Sequence, residues 1–346
     1  MKVLIVTNMA PFVRGGAELL AEHLCTQLNR TPGVSSEILR VPFQWEPFER
    51  ISDQMLLSLA MELINVDRVI ALKFPAYLIP HPAKTLWLVH QYRQAYDLRE
   101  GGQTNLPASP RGEAVRSQIV SADNACFSHC PGLFAVSSVV RDRLRKFNGF
   151  DADVLRAPLN FPEHFRSEQS GDYVFAGGRV NLAKRQHLLV EAMAHVRGNA
   201  KLVVAGPPDT EEDALRLSEL VRRHSLEDRV TLDLGFHDIS RIASYANNAA
   251  ACAYLPFEED SFGYVTMEAC AASKAMLTTT DAGGVLELVV DGSTGWVKEP
   301  RAKALAEGID ELFGDPERAR AMGRAGKAYW ESKQADWPTT IEKLLA

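Results

Sequence analysis

Short apolar runs alternate with helix-period segments along nearly the whole chain, and few folds accommodate that pattern. Runs at residues 3–6, 69–72, 86–89 and 133–136 read as buried strands of a first half. A glycine loop after the first of them leads into Ala17, Leu20, Ala21, Leu24 and Leu28, spaced to cover one face of a helix. The second half restarts the pattern at 173–176, continues with a helix carrying Leu188, Leu189, Ala192, Met193 and Val196, and adds strands at 202–205, 230–232, 251–255 and 275–278. Such βαβ repetition predicts parallel sheets. A chain of 346 residues is long for one core and fits two domains of roughly 150 to 180 residues each. Pro158 and Pro162 can continue neither a helix nor a central strand, so the boundary is placed there. The expected fold is α/β, with Rossmann-like, doubly wound parallel-sheet domains at 1–160 and 161–322 and a helical tail at 323–346. Their strands' carboxyl ends would face a central cleft. Segment 93–116, rich in Gly, Pro and polar residues, breaks the alternation and reads as a long loop, helical in part, over that cleft.

Composition excludes some classes of function. A formal net charge of -6 argues against a nucleic-acid binder, whose phosphate contacts need a basic surface. No apolar run reaches the roughly 18 to 20 residues of a membrane-spanning helix, and the apolar start is too short for a secretory signal, so a cytoplasmic protein is expected. Cys25, Cys126, Cys130, Cys252 and Cys270 are odd in number and scattered, which reads as buried thiols rather than a disulfide framework.

The chemistry concentrates in Pro256-Phe257-Glu258-Glu259-Asp260-Ser261-Phe262-Gly263-Tyr264-Val265-Thr266-Met267-Glu268-Ala269. Asp260 and Glu268 flank an aromatic-glycine turn that can open a helix. A carboxylate before the turn can accept hydrogen bonds from sugar hydroxyls, and the amides of Gly263, Tyr264 and Val265 at a helix start can face a phosphate. Glu268 lies a turn further in. Upstream, Gly177-Gly178-Arg179-Val180-Asn181-Leu182-Ala183-Lys184-Arg185 places Arg179 and Lys184 five residues apart after the first strand of the second half. Two cations held there would lower the cost of a departing anion. Arg185 ranks behind them, and Gly15 and Gly16 follow the first strand of the chain, where missing side chains let a ligand approach the backbone.

With Arg14-Gly15-Gly16-Ala17-Glu18 at one end and Asp281-Ala282-Gly283-Gly284-Val285-Leu286-Glu287 at the other, these segments resemble, in order, the motifs of the family-4 retaining glycosyltransferases, which have the GT-B fold. The resemblance implies that Arg179 and Lys184 grip the donor diphosphate and stabilise it as it leaves. It places Asp260 on the sugar, Glu268 on the ribose hydroxyls, and Gly15, Gly16, Phe262, Gly263, Tyr264 and Val265 along the donor. His90 would stand near the sugar's outer hydroxyls. Ser137 would line the same cleft, although a helix N-cap explains it equally well. Glu18 reads as a complement to the first helix's dipole, and Leu234-Gly235-Phe236-His237-Asp238 resembles the loop beside the base. The tail would cross back onto the first domain. Transfer would proceed by front-face displacement with no metal and no cofactor, the nucleotide sugar being a substrate. The acceptor, a saccharide, a lipid-linked molecule or another small molecule, would enter from the first domain. The family pattern is Glu, seven residues, Glu; Asp260 is one methylene shorter. The alternatives are a longer sugar contact, a different sugar, or a contact supplied by Glu259. Two other functions fit the same architecture: a GT-B sugar-nucleotide epimerase and a non-catalytic sugar-nucleotide binder.

Three further signals have plain readings. Asp151-Ala152-Asp153 spells a metal-binding motif of the other large glycosyltransferase fold but follows a turn near the domain boundary. Cys126, His129 and Cys130 are too crowded for usual zinc spacing. The basic amphipathic stretch 139–147 reads as a solvated helix, with peripheral contact to an anionic membrane as the alternative.

Overall fold

Residues 1–11, 15–168, 171–333 and 335–346 are described in a computed structural model of the chain; Arg14 of the glycine motif lies outside them. Contacts divide the chain into a first unit, Met1–Pro158 with Ala335–Ala346, and a second, Leu159–Gln334.

The first unit runs β1 (Lys2–Met9), α1 (Gly16–Arg30), β2 (Ser35–Pro42), α2 (Ile51–Leu59), β3 (Arg68–Lys73), β4 (Lys84–His90), α3 (Asp97–Glu100), α4 (Pro110–Ser128), β5 (Gly132–Ala135), α5 (Ser138–Asn148) and β6 (Asp153–Val154). The six strands are parallel, in the order β2-β1-β3-β4-β5-β6. Central strands are covered on both faces, so they are continuously apolar: Ile70, Ala71, Leu72, Leu86, Trp87 and Leu88 are fully buried. The expected stripe on α1 packs Leu20, Ala21, Leu24 and Leu28 into the core. Two strands escape the sequence pattern here, β2 and β6, and both lie at sheet edges, where residues such as Glu37 and Asp153 stay exposed. Segment 93–116 holds less loop than expected. Ser109 caps α4 by accepting from the Gly112 amide, and Pro110 occupies its first turn, so residues 110–116 already belong to a 19-residue helix.

The second unit runs β7 (Tyr173–Gly177), α6 (Gln186–Met193), β8 (Lys201–Gly206), α7 (Glu211–Arg223), β9 (Val230–Leu234), α8 (Ile239–Asn248), β10 (Ala251–Ala253), α9 (Tyr264–Ala271), β11 (Met276–Thr279), β12 (Gly295–Lys298), α10 (Ala302–Gly314) and α11 (Pro316–Lys333). Its strands are also parallel, ordered β12-β11-β10-β7-β8-β9. The order reverses between β7 and β10, and connections leaving that point diverge to opposite sides, opening a crevice at the strands' carboxyl ends. At its base β7 and β8 end close together: a Cβ on Gly206, whose φ is +142°, would lie 2.1 Å from the Gly178 carbonyl oxygen. Helix α11 buries Ala319, Met322 and Trp330 in the second unit. Only after residue 334 does the chain return, through α12 (Trp337–Leu345), whose Ile341 and Leu344 join the first unit's core.

One acid lies inside the first unit. Asp123 is fully buried, and the hydroxyls of Tyr77 and Tyr96 donate to its two oxygens at 2.8 and 2.7 Å. Burial pushes its carboxyl up to about 7 against those two hydrogen bonds, which favour the charged form. In the unfolded chain this group ionises near its ordinary value. Its contribution to stability is therefore present at low pH, declines as pH rises toward 7, and changes no further above that. Asp123→Asn should flatten the corresponding part of the melting profile. The difference between wild type and variant, followed by thermal unfolding from pH 5 to 8, should change by on the order of 2 to 3 kcal/mol. Parallel profiles would show that Asp123 ionises normally in the fold.

Candidate donor site

The loop leaving β7 and the loop leaving β10 flank the second unit's switch point. They carry most of the residues singled out in the sequence. Backbone hydrogen bonds tie them together: the Phe257 amide donates to the Ala183 carbonyl at 2.9 Å. A third loop, 281–284, closes against the second, with Glu258 N bonded to Asp281 O at 2.9 Å and Gly284 N to Glu259 O at 2.8 Å.

Arg179 and Lys184 are each held by a carboxylate and each keep donors in reserve. Arg179 Nη1 donates to both oxygens of Asp209 at 3.2 Å, and Asn181 Nδ2 fixes that carboxylate at 2.8 Å. The guanidinium's Nε and Nη2 have no hydrogen-bond partner among the described residues, and the side chain is 31% exposed. Lys184 Nζ donates to the Tyr254 hydroxyl at 2.8 Å and to Glu259, which leaves one of its three N–H groups. Arg185, the neighbouring cation, is committed elsewhere. Its guanidinium spans Asp281 at 2.8 and 2.7 Å, the carbonyls of Leu255 and Pro256, and Thr279 Oγ1, all within the fold. Burial would raise the Asp281 carboxyl, but this guanidinium outweighs it and holds the group below its ordinary range. Arg185 therefore ties the loops together.

Gly263 caps the start of α9 with φ +73°, and a Cβ there would lie 2.6 Å from Tyr254 Cε1. Glycine thus meets both a backbone and a packing need. The amides of Tyr264 and Val265 begin the helix without intrahelical acceptors. Val265 stands over the other loop, its Cγ2 3.1 Å from where a Gly178 Cβ would be. Phe262 is buried beneath. Asp260 and Arg179 both act electrostatically on the Tyr254 hydroxyl, which places them at the same end of the sheet. Glu259, the alternative sugar contact, is engaged with Lys184 and Tyr254. Glu268, one turn into α9, is partly buried and has no side-chain hydrogen-bond partner among the described residues. Burial alone pushes its carboxyl up to about 7. Half-buried and without a protein partner among the described residues, the carboxylate is available to a ligand that donates to it.

The remaining candidates belong to the first unit, at the carboxyl ends of its strands. Gly15 caps α1, and its amide donates to Glu18 Oε2 at 2.9 Å. Glu18 also pairs with Lys73 at the end of β3, so it ties α1, which follows β1, to the strand beside β1 at this sheet's reversal of order. Burial would raise its carboxyl, but Lys73 and the backbone amides bring it below its ordinary value. Gly16 is the first residue of α1. His90 ends β4 with Nδ1 2.6 Å from the Gln91 carbonyl oxygen. Ser137 is the N-cap of α5, accepting from Val140 N at 3.1 Å.

Of the five cysteines expected as buried thiols, Cys252 and Cys270 are buried and Cys25, Cys126 and Cys130 are half-buried. Asp151 is exposed and pairs with Arg145. All five cysteines are free, and among the described residues no group of three His, Cys, Asp or Glu side chains could hold a metal ion. In α5, Arg141, Arg143, Arg145 and Lys146 pair with Asp142, Asp97, Asp151 and Glu100, leaving the helix without an uncompensated basic face. Among the described residues no helix is long and apolar enough to cross a membrane.

Residues 160–329 match the family described as Glycosyl transferases group 1. The chain is 26% identical to the alpha-maltose-1-phosphate synthase of Mycolicibacterium smegmatis over 370 aligned residues, covering 94% of each. Its fold is similar to that of sucrose-phosphate synthase (tll1590) from Thermosynechococcus elongatus, with TM-score 0.78, 17% identity, and coverage of 99% of this chain and 96% of that one. It is also similar to Anabaena Alr3699/HepE, solved in complex with UDP-glucose, with TM-score 0.72, 18% identity and coverage of 99% and 98%. The second unit thus carries the match to glycosyl transferases group 1, in a chain with the two Rossmann-like units of the GT-B fold.

Proposed function

We propose that this protein is a retaining hexosyltransferase of the family-4 type. It would take its sugar from a nucleoside-diphosphate donor and work in the cytoplasm without a metal or a cofactor. The observation that carries the reading is the convergence, at one switch point, of two cations with unused donors, a helix N-terminus with unused amides and an unpartnered carboxylate. Arg179, Lys184 and the amides of Tyr264 and Val265 meet the diphosphate, whose charge grows as the sugar C–O bond breaks; groups fixed beforehand stabilise that charge with little reorganisation. Asp260 faces the sugar, and Glu268 accepts from the ribose hydroxyls. The departing phosphate oxygen takes the acceptor's proton on the face it leaves, so the anomeric configuration is kept and no protein base is assigned. The paired cations of α5 favour an acceptor, saccharide or otherwise, that arrives without membrane docking through this helix.

A thermal-shift panel of UDP, GDP, ADP and dTDP tests the site without knowledge of the acceptor. UDP heads it because HepE, which shares the fold, was solved with UDP-glucose. One nucleotide should stabilise the protein by about 2.7 kcal/mol at one hundred times its dissociation constant. The matching sugar donor should then be hydrolysed slowly with retention at the anomeric carbon. No stabilisation by any of the four would defeat the reading. Formation of an epimer would replace it with the epimerase, and binding without turnover would replace it with a non-catalytic binder.

A further inference from the structure

Lys184 is not simply a lysine near a crevice. Its ammonium is seated in a built socket. The walls are Tyr254 and Glu259, neither of which the motif resemblance marks as a phosphate-binding residue. Tyr254 directly follows β10 and is 6% exposed. Its backbone is fastened on both sides, the amide to Leu277 O at 3.1 Å and the carbonyl to Thr278 Oγ1 at 2.7 Å. Its hydroxyl accepts from Lys184 Nζ at 2.8 Å and donates to Glu259 Oε2 at 2.7 Å, while the ammonium lies 5.2 Å from the ring centroid. Glu259 is fixed as well, its amide bonded to Ala282 O at 3.3 Å and its carbonyl to Gly284 N at 2.8 Å. The same Tyr254 ring lies against Gly263, the cap of the helix whose amides are open. One rigid aromatic side chain therefore touches both kinds of phosphate-binding group.

Resting on the donor-site reading, we propose that Tyr254 and Glu259 are positioning residues that hold the Lys184 ammonium at a set distance from the α9 amides, with one N–H left for a phosphate oxygen. A free lysine side chain loses rotamer freedom when it grips an anion. In the socket much of that loss has already occurred on folding. Glu259 also offsets part of the positive charge, so the site is not strongly cationic before the donor arrives.

Inorganic pyrophosphate is a suitable probe, because it needs neither the base nor the sugar subsite. Tyr254→Phe keeps the ring against Gly263 and removes only the hydroxyl; Glu259→Gln keeps an acceptor and removes the charge. Each variant should bind pyrophosphate about tenfold more weakly by calorimetry, the size expected for one hydrogen bond to a charged group. Placed on a Lys184→Ala background, either change should have almost no further effect, since the two sides of the cycle share one interaction. A strut needed only for the fold would lower the melting temperature and leave affinity untouched in the folded fraction. Wild-type affinity in both variants, tighter binding by Glu259→Gln, or full additivity with Lys184→Ala would overturn the proposal while leaving the donor site standing. Failure of wild-type protein to bind either pyrophosphate or any nucleotide of the panel would remove the donor-site reading and this inference with it.

Discussion

Arg179→Ala should lower donor turnover about 100-fold or more, the usual consequence of deleting one fixed donor to charge that develops in a transition state. Its melting temperature should stay close to that of wild type. The ion pair it loses, with Asp209, is about one-third exposed on both sides, and such pairs contribute little to stability. Lys184→Ala should reduce turnover by a similar factor but should also destabilise the protein. It leaves Glu259, 17% exposed and bonded to a buried phenol, without its counter-ion. Adding Glu259→Gln should then recover stability without recovering turnover. Release of nucleoside diphosphate from the donor, measured beside thermal unfolding, separates the two effects. Near-normal turnover by Arg179→Ala would remove it from the chemistry.

The contrast between these cations also shows what a sequence can and cannot express. Central strands such as residues 69–72 and 86–89 announce themselves, because a parallel strand covered on both faces must be apolar throughout. Edge strands β2, β6 and β12 carry no such requirement, so Glu37, Arg40 and Lys298 interrupt them. The loops that follow β7 and β10 were equally legible, since glycine, cation and carboxylate spacings survive in one dimension. Partners across the sheet were not. Arg179 meets Asp209, Lys184 meets Glu259, and Arg185 meets Asp281, separated by 30, 75 and 96 positions, and only the strand order brings them together. The three adjacent or nearly adjacent cations look interchangeable on paper. In the fold one bears unused donors, one bears a single unused N–H, and one is spent on loop closure. Tyr254 was hidden for another reason: in sequence it is one more aromatic residue in a buried run, and its hydroxyl acquires a role only from what it faces.

Glu268→Gln should act in opposite directions on stability and on donor binding, which makes it the sharpest test of the site. In the ligand-free fold burial lifts the Glu268 carboxyl to about 7, with no hydrogen bond in return. The raised value means that stability declines as pH climbs from the ordinary carboxylate range toward 7, so a neutral amide of the same shape should be harmless or stabilising in neutral buffer. Donor binding should respond the other way. The ionised carboxylate accepts from one hydroxyl on each oxygen, and more strongly than the neutral acid, so affinity for the nucleotide chosen by the panel should rise between pH 6 and 8 and level off above. Those hydroxyls would stabilise the anion, and binding near pH 7 should expel a fraction of a proton, visible as a calorimetric heat that depends on the buffer. The Gln variant should lose the proton release and the pH dependence together, and bind about ten- to one-hundred-fold more weakly, as expected when charged hydrogen bonds are lost. A residue retained for packing would show the reverse pattern, with stability falling and affinity unchanged. That result would detach Glu268 from the ribose.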